Sequence, residues 1–288
     1  MATIAGDGPG ELASGGLTSG ERATAGSAAN EAHGAERQTI ELLWTSGWDS
    51  TFRLLSALFL EDVTVQPHYI IDRKRPSLPV EQRAMMQIRE ALSRTLPGAD
   101  ERLLATITAE RDDIAPHPET SERFANLAAR GPIGTQYEWL ARYAIWKGLT
   151  ALELSVHDDD RANAYLSGKV ELVKEEPFAT YRLAEHARGG DLELFADFVF
   201  PVFDLSKVAM REAAAAHGFL DILELSWFCH HPLAGGVPCG ICNPCLDATR
   251  EGVGYRLPRV SRLRQAVHRV VPWTKIVGKL KALAKRGT

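Results

Sequence analysis

The 288-residue chain has no run of about 18 apolar residues, so the sequence offers no membrane-spanning helix. Its start lacks a basic stretch followed by an apolar one. No secretory signal is therefore visible, and a cytoplasmic protein is expected. Acidic residues are missing altogether from Tyr255 onward, while that stretch holds ten Lys and Arg. The net charge of −4 thus divides into +10 on the tail and −14 on the remainder. An acidic body with a basic tail points to a separate role for the tail. Large apolar side chains are scarce from residue 1 to about residue 37, where Gly, Ala, Ser, Thr and Glu dominate. Such a segment cannot bury enough surface to offset its ordering entropy, so residues 1–37 are expected to be disordered with no bound function. Several Glu and few Arg argue against a transit peptide there. Two phosphate-binding signatures are also absent. Without Gly-x-x-x-x-Gly-Lys-Ser/Thr a Walker-type loop is disfavoured, and without Gly-x-Gly-x-x-Gly so is a dinucleotide fold.

Cysteine is rare, and all four copies fall between Cys229 and Cys245. In a reducing compartment that clustering favours metal over disulfides. Cys239-x-x-Cys242-x-x-Cys245 sets three thiolates on one knuckle, with Gly240 and Pro244 favouring its turns. Cys229 supplies a fourth across a loop holding Gly235, Gly236 and Pro238. Four thiolates close a tetrahedral Zn²⁺ site and leave no position for a reacting water, so the role is structural. An iron–sulfur cluster is the other reading of this spacing. His230 and His231 adjoin the knuckle; they could substitute as ligands, but loop histidines are the expected reading.

The 45% apolar fraction is ample for a core. Strands are expected at residues 40–44, 63–71, 103–107 and 151–156, with an extended apolar stretch at 198–203. Helical spacing covers residues 50–59, 80–96, 137–147 and 206–217, the last two ending at Gly148 and Gly218. Strands alternating with helices give an α/β fold, a parallel sheet with helices on both faces. Residues 38–254 form the main domain, with the metal segment at 229–245, and 255–288 form the tail.

The first strand runs into Thr45-Ser46-Gly47-Trp48-Asp49-Ser50-Thr51. A parallel strand delivers the chain to the sheet's carboxyl edge, where ligands of open α/β folds bind. A tight turn needs small residues, and Gly47 permits either a positive φ or close approach by a ligand. The following helix offers unpaired N–H groups and partial positive charge to an anion. Thr45, Ser46, Ser50 and Thr51 add hydroxyls. Asp49 would repel a phosphate unless it holds Mg²⁺ or caps the helix. The plain alternative is an ordinary strand-to-helix turn with Asp49 as its cap.

This loop resembles the PP-loop of the ATP pyrophosphatases, or adenine nucleotide alpha hydrolase-like proteins, usually Ser-Gly-Gly-x-Asp-Ser. Thr45 stands for its Ser and Ser46 for its first Gly. Together with Ser226-Trp227-Phe228-Cys229 and Cys239-Gly240-Ile241-Cys242-Asn243-Pro244-Cys245, it is similar to the 7-cyano-7-deazaguanine synthase family of queuosine biosynthesis. Phe203-Asp204-Leu205-Ser206-Lys207 resembles a further segment of that family, and the likeness spans roughly residues 41–254. It implies an ATP-dependent carbon–nitrogen ligase that adenylates 7-carboxy-7-deazaguanine and aminates it with ammonia toward the nitrile. It further implies that Thr45, Ser46, Gly47, Trp48, Asp49, Ser50 and Thr51 bind ATP with Mg²⁺, with Asp49 and Ser50 catalytic. Cys229, Cys239, Cys242 and Cys245 would hold Zn²⁺. The family's Tyr-Gly-Gln-Arg-His and Gly-Arg-Asn motifs are replaced by residues 71–76 and 131–136, so a related carboxylate is the alternative acceptor. Arg73, Gln136 and Asp158, Asp159 and Asp160 are candidate acceptor or metal contacts, and Glu81 matches a family Glu.

In the tail, Leu263, Val267, Val270 and Val271, then Ile276, Val277, Leu280, Leu283 and Ala284, have amphipathic helical spacing broken at Pro272. Such a helix can lie on an anionic membrane surface, bind RNA or another anionic partner, pack on the acidic body or pair subunits as a homodimer, a solvated surface helix being the default. Two other functions stay open. One is another PP-loop enzyme with a different acceptor, such as a nucleotide- or tRNA-modifying one. The other is a non-catalytic zinc protein.

Overall fold

The computed structural model describes residues 37–270. The expected N-terminal disorder and the second half of the tail lie outside the described residues. Elements follow in chain order: β1 (Thr39–Leu43), α1 (Trp48–Leu60), β2 (Thr64–Ile71), α2 (Leu78–Thr95), α3 (Ala99–Arg102), β3 (Ile107–Glu110), α4 (Pro118–Arg130), α5 (Gln136–Lys147), β4 (Leu152–Glu153), α6 (Arg161–Leu166), β5 (Val170–Lys174), β6 (Thr180–Leu183), β7 (Phe198–Phe200), α7 (Lys207–Ala216), α8 (Leu220–Leu223), α9 (Asn243–Arg250) and α10 (Arg259–Val270). One seven-stranded sheet has the order β3-β2-β1-β4-β7-β6-β5. The first five are mutually parallel, and only β6 runs against its neighbours. The expected α/β class therefore holds, with a mostly parallel sheet.

Successive residues of β1 serve opposite faces, as a pleated strand requires. Leu42 packs with Phe52, Leu55, Ile88 and Phe219 in one core, among side chains of α1, α2 and the α7–α8 segment. Leu43 packs with Tyr137, Leu140, Phe195 and Phe200 in the other, under α5. Burial on both faces explains why β1 reads as a plain apolar run.

Chain order reverses at β1: the path steps outward through β2 and β3, then returns to place β4 on the other side. The β1–β4 seam is thin, with a single register pair, Leu42↔Glu153. Beyond it the chain turns away, because Val156 donates its N–H back to Leu154 O at 2.8 Å. The strand expected at 151–156 is therefore cut to two residues, and a gap opens between the carboxyl ends of β1 and β4. Behind that gap, buried Arg53 of α1 grips Glu153 through two bonds of 2.7 and 2.8 Å, clamping α1 to β4. The strand expected at 103–107 begins only at Ile107. Before it, only Leu103 pairs with β2, through an isolated bridge to Val65, and Arg89 adds bonds to the carbonyls of Leu103 and Leu104 and the Thr106 hydroxyl.

Candidate functional site

The turn after β1 lies at the strand-order reversal, where open α/β sheets hold ligands. Its left-handed residue is Ser46, with φ 57°; Gly47 is the helix cap, at φ −66°. A positive φ costs a serine about 1–2 kcal/mol, so the surrounding structure must hold it. That support comes from far along the chain, where Trp227 N donates to Ser46 O at 2.7 Å. Space is tight at Gly47: a Cβ there would lie 3.3 Å from Thr45 Oγ1, so that side chain would have to shift slightly. Ser50 Oγ accepts from Thr45 N at 3.3 Å, and Thr51 N opens the helix ladder at Gly47 O. No side chain caps α1, so Asp49 is not the cap that the plain reading required. The helix start, with its partial positive charge, faces the gap.

A cavity of about 610 Å³ opens at this turn, lined on that side by Thr45, Gly47, Trp48 and Asp49. A smaller slot of about 160 Å³ adjoins it between β1 and β4, with Leu43, Leu140, Leu154 and Val156 as apolar walls and Ser50 at its edge. At the cavity floor lies an ion cluster. Lys207, the first residue of α7, sits 3.5 Å from Asp49 Oδ2 and 2.7 Å from Glu251 Oε2. Ser206 presents it by capping α7, its Oγ accepting from Ala209 N at 3.1 Å. Burial alone would lower the Lys207 ammonium, but Asp49 and Glu251 outweigh it, and the pKa is raised. His157 Nε2 lies 4.0 Å from the same Asp49 oxygen. Around the turn, Ser46 Oγ, Trp48 Nε1, Asp49 Oδ1, Ser155 Oγ and Ser226 Oγ are buried without a hydrogen-bond partner. Each such group costs about 1–3 kcal/mol, so their concentration at one crevice points to a polar ligand.

The sequence candidates sort plainly. Thr45, Gly47, Trp48, Asp49, Gln136, Asp159, Asp160 and Glu81 all face the cavity. Asp160 also caps α6 and accepts from Tyr137 OH at 2.7 Å. Thr51 is fully buried and accepts from Trp44 Nε1 at 3.1 Å, so it braces the core. Arg73 is largely exposed and paired with Glu110 at 2.5 Å, outside the cavity lining. Asp158 pairs with His157 Nδ1 at 3.5 Å. Lys207, which the sequence placed only in a family-like segment, and Glu251 and Arg256, which it left out, also belong to the site. Arg256 lies over the Trp48 ring at 4.8 Å and donates to Ser226 O at 2.6 Å.

The four cysteine sulfurs lie within 4.8 Å of one another and can hold a metal ion. Separations of 3.5, 3.8 and 4.0 Å bracket the ~3.8 Å edge of a tetrahedron with Zn–S bonds of about 2.3 Å. That spacing suits one ion better than a multi-iron cluster. Backbone N–H groups of Cys239, Ile241, Cys242 and Gly240 point at three of the sulfurs, as the donors around a thiolate site do. Contacts with Cys229 and Cys245 push the Cys242 thiol far down, while contacts within the cluster drive those two up. Packed together, the four could not all ionise without a cation. Gly240 is obligatory, since a Cβ would meet Ser261 O of α10 at 2.2 Å. α10 is docked on the knuckle: Arg264 donates to Cys239 O at 3.1 Å and Gln265 to Cys245 O at 3.4 Å. On the knuckle's other side, Asn243, Pro244 and Asp247 of α9 line the cavity. No helix among the described residues is long and apolar enough to cross a membrane.

No protein-family model matches the chain, and no curated protein matches it significantly.

Proposed function

We propose that the chain is an ATP-dependent carbon–nitrogen ligase of the PP-loop kind, acting on 7-carboxy-7-deazaguanine or a related carboxylate with ammonia. The observation that carries this reading is the cavity floor. Asp49 has one oxygen without a partner and the other toward Lys207, beside an uncapped helix start. Two further features support it. The position of the PP-loop's first Gly is Ser46, the one non-Gly residue with positive φ among the described residues. The Gly47 position is tight, with Thr45 Oγ1 3.3 Å from where a Cβ would sit.

In this reading the α1 N-terminus, Thr45 and Ser50 bind the leaving pyrophosphate. Lys207 supplies a fixed positive charge to the phosphoryl oxygens, in a site where burial strengthens it. The unpartnered Asp49 oxygen suits Mg²⁺, which when bound neutralises charge on the phosphates. The acceptor carboxylate oxygen bonds the α-phosphorus as the bond from that phosphorus to the bridging oxygen breaks. Ammonia then adds to the acyl carbon, AMP leaves and a proton passes to solvent. Zinc in the knuckle, its four positions filled by protein, serves folding.

A sulfur-transferring PP-loop enzyme would need a thiol beyond the knuckle, and the chain has no fifth cysteine. The test mixes protein, ATP, Mg²⁺, ammonia and 7-carboxy-7-deazaguanine, then reads pyrophosphate and the mass of the base. Amide or nitrile with pyrophosphate is the expected result. Pyrophosphate without either product moves the acceptor to a different compound. If calorimetry detects no Mg·ATP binding, the enzymatic reading fails and a non-catalytic zinc protein remains.

A further inference from the structure

α10 is inside out relative to an ordinary surface helix. Its buried positions are polar, Ser261 and Gln265, and they bond the metal knuckle. Its outward face carries Val260, Leu263, Val267 and Val270, with Leu263 66% and Val270 82% exposed. Those four recur at helical spacing, so they form one stripe. At about 100° per residue, Arg264 and His268 fall on one side of that stripe and Arg262 and Arg269 on the other. No acidic residue occurs on the helix or anywhere after it. We propose that this face docks the protein on an anionic lipid surface, the stripe entering the acyl boundary and the flanking arginines meeting headgroup phosphates.

The pattern favours lipid over the other occupants. Two copies packed stripe to stripe would press arginine rims together, with no carboxylate to relieve them. Residues 271–288 add five Lys and Arg and no acid, which continues the charge of this face. Nucleic acid would engage the arginines but has no use for an exposed Val/Leu stripe. A bilayer with anionic headgroups meets both demands at once.

Cosedimentation of the zinc-loaded full chain with vesicles tests the proposal. Binding is expected on phosphatidylcholine carrying about 30% phosphatidylserine, and at least about tenfold weaker on pure phosphatidylcholine. Added salt should weaken it. Leu263→Glu and Val267→Glu should each weaken binding at least about tenfold, by removing apolar insertion and adding a repelled charge. Both side chains are exposed, so zinc content and thermal melt should match the parent protein. The proposal falls if the parent binds no vesicle at low salt, or binds both lipid mixtures equally. It falls equally if both variants bind like the parent. A dimer dissolved by Leu263→Glu without vesicle binding would assign the face to a second copy. Oligonucleotide binding that survives Leu263→Glu, without vesicle binding, would assign it to nucleic acid.

Discussion

Asp49→Ala and Lys207→Met should have opposite structural consequences although the two side chains face each other. Lys207 has two carboxylates, Asp49 at 3.5 Å and Glu251 at 2.7 Å. Removing Asp49 leaves Lys207 its closer partner, so no buried cation is stranded. The attraction lost is offset because folding no longer has to take that carboxylate out of water or bury its unpartnered oxygen, which costs about 1–3 kcal/mol. The net change should stay within about 1 kcal/mol, a Tm shift of at most about 4 °C for a chain of this size. Lys207→Met instead removes the nearest cation from both carboxylates, leaving Asp49 only His157 and Glu251 only Arg250, each at 4.0 Å, while Glu251 is only 5% exposed. Breaking a buried pair that way costs about 3–5 kcal/mol, a Tm loss on the order of 10 °C. Pyrophosphate release should fall at least about 100-fold in Asp49→Ala, since the group acts on charge developing in the reaction. Calorimetric melting and a pyrophosphate assay on the same preparations decide it. An Asp49→Ala protein that melts 10 °C lower would show the carboxylate to be structural. One that keeps full turnover would refute its assigned role.

Cys242→Ser, or chelation of the parent protein, should remove the metal and raise hydrogen exchange in α10 as well as in residues 239–245, because α10 is bonded to the knuckle's carbonyls; exchange confined to the knuckle would refute that coupling. Gly240→Ala should cost at least about 3 kcal/mol, for it adds a Cβ at 2.2 Å from Ser261 O on a backbone of φ 81°; a chemical-denaturation midpoint equal to the parent's would refute the close approach. Burial, then Glu41, pushes the Tyr143 hydroxyl up to about 12, and burial, then Asp160, holds Tyr137 well above 10. Both folded-state values exceed the unfolded one, so the native chain keeps its protons longer and stability is lost as pH rises from about 10 toward 12. Melts across that range should fall steadily, and Tyr143→Phe should flatten part of the decline.

What the sequence disclosed was whatever is local. The run through β1, the small residues of the turn and the cysteine knuckle each declare themselves within a few positions. β5 was illegible because Val170–Lys174 is a mostly exposed edge strand whose Glu and Lys dilute any strand pattern. α4 was missed because so few of its residues are large and apolar, essentially Phe124 and Leu127, that its amphipathic pattern is carried mostly by alanines and polar side chains. Strand lengths beside the crevice were overestimated because apolar residues continue past the last ladder bond. The ion cluster could not be read at all. Asp49, Lys207 and Glu251 lie in three separate segments, and only the folded sheet makes them neighbours. A buried-polar signal existed in Ser206-Lys207, a cap followed by a cation, but nothing local tells such a lysine from a solvated one.

Trp227 fixes the backbone of Ser46 from two positions ahead of Cys229. A growing polypeptide thus has β1 and its turn early, yet lacks the brace for that turn until Trp227 has been made. The indole of Trp227 in turn donates to Cys229 O, so the brace is tied to the cysteine knuckle. A chain whose knuckle stays open would have its sheet in place and a slack turn.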